Sequence, residues 1–154
     1  MNTKIIIKSK QCKNCMWFLL TSFLLLSGCY KNDAPAPDTF FTTNADKVEV
    51  IHFHGNRQCQ SCILIGDLSQ KAIKERLPQE YAAGIVTFKQ INVDMPENKF
   101  IVTKFKARGS ALFFNVIKDN YETKIEDTKV WRLIGDESEF MNHIATTIKH
   151  YLGK

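Results

Sequence analysis

Residues 48–53 are rich in β-branched and aromatic side chains and give way to Gly55, which predicts a strand. A helix is predicted over 60–77, stopped by Pro78, and a second strand over 85–93. A strand, a helix and a strand in that order form a βαβ unit. Its two strands must be parallel and its crossover right-handed. The unit fixes the start of the fold, and it places the Cys59-Gln60-Ser61-Cys62 run at the join of the first strand and the first helix.

The rest of the chain extends this plan. Pro96 suits a first helical turn, and Phe100, Ile101, Lys104 and Phe105 follow at helical spacing. Residues 111–117 read as a third strand, 118–120 as a turn and 121–126 as a returning fourth strand. A last helix begins near Asp136, with Phe140, Ile144, Ile148 and Tyr151 on one face. The expected order is β-α-β-α-β-β-α: an α/β fold with a mixed four-stranded sheet and helices on both faces.

The N-terminus has a different character. Four of the 21 basic residues (Lys4, Lys8, Lys10 and Lys13) lie in residues 1–28, which hold no acids; the remainder has 17 basic against 16 acidic side chains. The positive charge therefore belongs to the N-terminus, and the rest carries no electrostatic footprint for nucleic acid. An apolar run over 16–26 follows the lysines. It is too short to span a hydrocarbon core of about 30 Å comfortably as a helix. Basic region, short apolar core and small residues together predict a secretory signal.

Leu26-Ser27-Gly28-Cys29 resembles the lipobox of bacterial lipoproteins. The resemblance implies cleavage before Cys29 and lipidation of its thiol, with more than one acyl chain needed for stable anchoring. Residues 1–28 are then the signal, 29–47 the lipidated cysteine and a Pro- and Asn-containing tether, and 48–154 the folded domain. Cys12 and Cys15 leave with the signal. The domain is expected in the bacterial cell envelope, lipid-anchored to a membrane and facing the periplasm or exterior, as a monomer.

Cys59 precedes a helix and Cys62 lies in its first turn. A helix N-terminus lowers a thiol pKa, and the second thiol stands close enough to resolve a mixed disulfide. A CxxC before a helix in a βαβ pattern reads as a redox motif. Residues 48–152 resemble the thioredoxin superfamily, in the strand before the pair, in Gln90-Ile91-Asn92-Val93-Asp94, in 105–114 and in the closing helix. His52-Phe53-His54-Gly55 is similar to a bacterial subgroup described as the nitrophenyl compound nitroreductase subunit-type family, although nothing here resembles a flavin site. The resemblance implies a thioredoxin-like fold and thiol–disulfide exchange through Cys59 and Cys62 with an envelope protein, without a bound cofactor.

The departures from that family are specific. The cis-proline beside its cysteines falls on Ala111, after Ser110, and a non-proline residue there predicts a trans bond. The buried acid that assists its second thiol falls on Phe53, and the acid's lysine partner on Gln90. The alternative reading is a copper or zinc carrier using the same pair, with His54 as a third ligand. Arg57, two positions before Cys59, is a candidate to stabilise a thiolate. His143 and His150 share a helix face about 10 Å apart, too far for one ion, and are expected at the surface.

Overall fold

The computed structural model describes residues 44–154, which lie in the second of the chain's two units, Pro37–Lys154. The signal, Cys29 and most of the tether fall outside the described residues. Strand β1 (Lys47–His54) leads through a loop to α1 (Gln60–Arg76) and the short α2 (Pro78–Ala82). Strand β2 (Val86–Asn92) follows, then a 3-10 turn (Pro96–Asn98) running into α3 (Lys99–Phe105). Strands β3 (Ala111–Lys118) and β4 (Tyr121–Glu126) precede the one-turn α4 (Val130–Leu133) and the closing α5 (Glu137–Tyr151).

The strand order is β2-β1-β3-β4. β1 runs parallel to β2, with His52 opposite Gln90, and antiparallel to β3, with Phe53 opposite Ala111. β3 and β4 form a hairpin closed at Lys118 and Tyr121. Asp119 and Asn120 both take positive φ, 49° and 66°, the backbone that a two-residue turn matching the strand twist requires. The architecture is the expected α/β one, a mixed four-stranded sheet with helices on both faces.

Alternation along β1 divides the core in two. Val48 and Val50 face α1 and α5, where Ile65, Ile73, Phe140, Ile144 and Ile148 complete the larger cluster. Ile51 and Phe53 face α3 and pack with Ile91, Phe105, Ala111 and Phe113. The rings of Phe53, Phe105 and Phe113 meet at centroid distances of 5.5 Å in tilted and edge-to-face pairs, geometry that aromatic quadrupoles favour. Asp136 caps α5 by accepting the Glu139 N–H at 2.9 Å.

The structure differs from expectation at three points. Pro78 does not simply stop α1; it opens α2 at a first-turn position, where its missing N–H costs no hydrogen bond. Residues 130–133 form a helical turn too short for periodicity to reveal. Phe100 points to solvent, 80% exposed, while Ile101 and Phe105 carry the packing of α3.

Phe140 is fully buried between α5 and the sheet. Phe140→Ala is expected to cost about 3–5 kcal/mol, a transfer loss plus a cavity. Urea unfolding followed by circular dichroism checks this; a loss under 1 kcal/mol would show that Phe140 does not anchor α5.

Candidate functional site

The site grows from the C-terminal end of β1. The loop from Gly55 to Gln58 is held from the side by the end of β2. Asp94 accepts the Asn56 N–H at 2.7 Å, Asn92 donates its amide to Asn56 Oδ1 at 2.8 Å, and Asn92 Oδ1 accepts the Asp94 N–H at 3.0 Å. A Cβ at position 55 would stand 3.1 Å from Asp94 Oδ2. Glycine there lets the carboxylate close on the loop. Asn92 and Asp94 are thus what fixes the approach to Cys59.

Cys59 is the N-cap of α1. Its backbone is extended, with φ −75° and ψ 161°, and its sulfur accepts the Cys62 N–H at 3.1 Å. Cys59 and Cys62 are joined as a disulfide across a Cα–Cα distance of 5.1 Å. Cys59 is exposed and Cys62 is buried. No acidic residue occupies the first turn of α1. The positive end of the helix therefore has no side-chain anion nearby in sequence, and a thiolate at Cys59 takes that place.

His52 is the residue that sequence reasoning missed. It is 1% exposed on the β1 face that meets α1, and neither ring nitrogen has a hydrogen-bond partner among the described residues. A Cβ on Gly66 of α1 would stand 2.6 Å from His52 Nδ1, so glycine is what admits the ring beneath the helix. Burial, with a smaller push from neighbouring His54, lowers the His52 pKa to about 4, against a weak opposing pull from Asp67. Alternation along β1 puts His52 on the Val50 face, the face that carries α1. Phe53, which spacing set at the place of the family's buried acid, faces the other way, into the α3 cluster.

The other candidates separate. His54 is half-buried, its Nδ1 donates to Gly55 O at 3.1 Å, and its ring lies 5.7 Å from that of His52. With the pair joined as a disulfide, no three His, Cys, Asp or Glu side chains among the described residues are grouped to hold a metal ion, His54 and the cysteines included. Arg57 is exposed on the loop. The Ser110–Ala111 peptide bond is trans. Ala111 pairs with Phe53, which puts the Ser110–Ala111 loop at the same end of the sheet as the Cys pair. His143 is half-buried rather than freely exposed. Its Nε2 lies 2.7 Å from Oδ2 of the buried Asp127, pinning the segment after β4 to α5, while His150 is exposed.

No family model matches the chain, and no curated protein does. Among solved structures it is similar to a thioredoxin from Thermus thermophilus, with TM-score 0.46 and 16% identity over 66% of this chain and 73% of that one. It is similar also to thioredoxin O2 from Arabidopsis thaliana in the oxidized state, with TM-score 0.41 and 19% identity over 61% and 75%. The zinc-bound form of human ERp44 gives 0.44 and 22% over 69% of this chain but only 26% of that one. These likenesses are of fold only; the chain's own residues carry the chemistry.

His52 makes the fold acid-sensitive. Its folded pKa of about 4 lies below the ordinary histidine value of 6.5. Above 6.5 both states hold it neutral and stability is complete. As pH falls from 6.5 towards 4, the unfolded chain takes up a proton that the folded one refuses, and stability is lost. By pH 4.5 that loss is about 2–3 kcal/mol. Urea midpoints at pH 7 and 4.5 are expected to fall further apart in the unsubstituted chain than in His52→Leu; equal gaps would show that His52 is not buried as a neutral ring.

Proposed function

We propose that the chain is a thiol–disulfide oxidoreductase of the bacterial cell envelope, anchored to a membrane through a lipid on Cys29. The observation that carries the reading is the asymmetry of the pair: an exposed Cys59 capping a helix whose first turn has no acid, bonded to a buried Cys62. An incoming thiolate reaches only the sulfur of Cys59. The new disulfide forms there and Cys62 leaves as the thiolate. A second thiolate of the partner then frees Cys59, and a partner dithiol has become a disulfide. Run backwards, the reduced pair reduces a partner disulfide. No cofactor enters.

The partner in this proposal is an envelope protein with a dithiol or disulfide, met from the periplasmic or exterior side by a single copy of the domain. The resemblance of residues 26–29 to a lipobox supports the anchor. Kinship with the nitrophenyl compound nitroreductase subunit-type group belongs to the same proposal, without flavin chemistry. Metal carriage is the weaker reading, because it rests on the thiolates alone.

Two measurements test the proposal. Cys62→Ser in the full chain is expected to accumulate a mixed disulfide through Cys59 with an envelope protein, and Cys59→Ser to accumulate none. The reduction potential of the unsubstituted pair in glutathione buffers is expected between about −120 and −270 mV, the range of active exchange proteins. A pair that stays oxidised below about −300 mV, with no trapped partner, is a structural staple and sinks the proposal.

A further inference from the structure

Four described side chains bury a polar atom without a hydrogen-bond partner: His52, Ser69, Thr87 and Asn115. Only His52 leaves two atoms in that state. A buried donor or acceptor left unmade costs the full desolvation of that group, so a ring with two of them calls for an explanation.

The position of the ring supplies one. Side chains on a helix tilt towards its N-terminus, so the side chain at i+4 lies over the one at i. Gly66 is four residues after Cys62 and has no side chain. The His52 Nδ1 atom stands 2.6 Å from where that missing Cβ would be. The imidazole thus fills the slot that neighbours Cys62 on the buried side of α1. When the disulfide opens, the sulfur of Cys62 becomes an anion at a position only 8% exposed, where water cannot reach it freely.

We propose that a ring N–H of His52 donates a hydrogen bond to the sulfur of Cys62 as the disulfide opens, and so eases its departure as a thiolate. The inference rests on the exchange reading above. The partner thiolate bonds to Cys59 Sγ, the Cys59–Cys62 bond breaks, and its electron pair goes to Cys62. His52 gives up no proton: the two protons of the partner dithiol end on Cys59 and Cys62 after exchange with water, and two electrons pass with them.

The neighbouring groups do not compete for this role. The His54 N–H is committed to Gly55 O. The Asp67 carboxylate only accepts when ionised. The Gln90 amide nitrogen lies 3.5 Å from the same slot, but Gln90 is exposed and water competes for it. Of these neighbours of the slot, His52 is the one closed off from solvent with a donor to spare.

The test uses the full chain with Cys59→Ser, and reads the Cys62 thiol from the pH dependence of its alkylation by iodoacetamide. Adding His52→Leu is expected to lower the thiolate fraction at a given pH about tenfold, the scale of a hydrogen bond to a charged group. His52→Gln, which keeps a neutral donor, is expected to restore most of it. With the disulfide intact, opening by dithiothreitol is expected to slow about tenfold in His52→Leu. A profile and an opening rate unchanged by His52→Leu would overturn the inference while leaving exchange itself standing. A disulfide that no thiol opens in the unsubstituted chain would sink the exchange reading instead. Should His52→Leu fail to fold, the ring nitrogen resonances of His52 in the unsubstituted chain decide: a shift on reduction supports the bond, and identical resonances in the two redox forms overturn it.

Discussion

Strand β1 is paired along both edges and covered on both faces, and the other elements take their positions from it. Val48, Val50, Ile51 and Phe53 are all fully buried. Each contributes about 1.5–3 kcal/mol by leaving water. The parallel partner β2 and the antiparallel partner β3 satisfy its backbone. A strand held this firmly can end in a short loop whose geometry is reproducible. The Asp94, Asn92 and Asn56 network transfers that rigidity to Cys59. The first turn of α1 therefore starts from a fixed point, and the two sulfurs inherit their unequal exposure from it.

That inequality organises the chemistry. The exposed sulfur meets a partner, and the buried one must carry charge where the dielectric is low. The N-terminal end of α1 favours negative charge at both. At Cys62 this field acts where little water screens it, so each nearby dipole counts for more than it would at the surface. The Cys62 N–H is already turned towards Cys59 in the disulfide form.

Much of this was legible in the sequence. The βαβ unit, the hairpin and the amphipathic α5 follow from spacing and turn residues, and each is present. The Cys pair was readable because two cysteines before a helix have few competing explanations. The failures share one cause, namely that alternation fixes which residues share a face and not what covers that face. Because a shift of one residue moves a side chain to the opposite side of a sheet, the resemblance that set Phe53 beside the pair missed that Phe53 faces α3 and its neighbour His52 faces α1. In the same way a helix wheel put His143 and His150 together but could not see that Asp127 returns to meet only the first. The role of Gly66 was hidden because a glycine inside a helix announces only a cost of about 1 kcal/mol relative to alanine.

The choice of histidine at position 52 works against stability, and that is the firmest sign that it is there for something else. Leucine or valine in this slot would bury apolar surface, leave no unmade hydrogen bond and bring no acid sensitivity. The neighbours on β1 are of that kind, so the position does not resist apolar side chains. The fold tolerates the ring because α1, α5 and the sheet over-determine the strand around it, and because Gly66 gives up its side chain to make room. Two residues on separate elements have thus each taken a locally unfavourable identity, and the two costs meet at a single point one helical turn below Cys62. Packing alone gives no reason for that coincidence, whereas an anion that must be held briefly out of reach of water does.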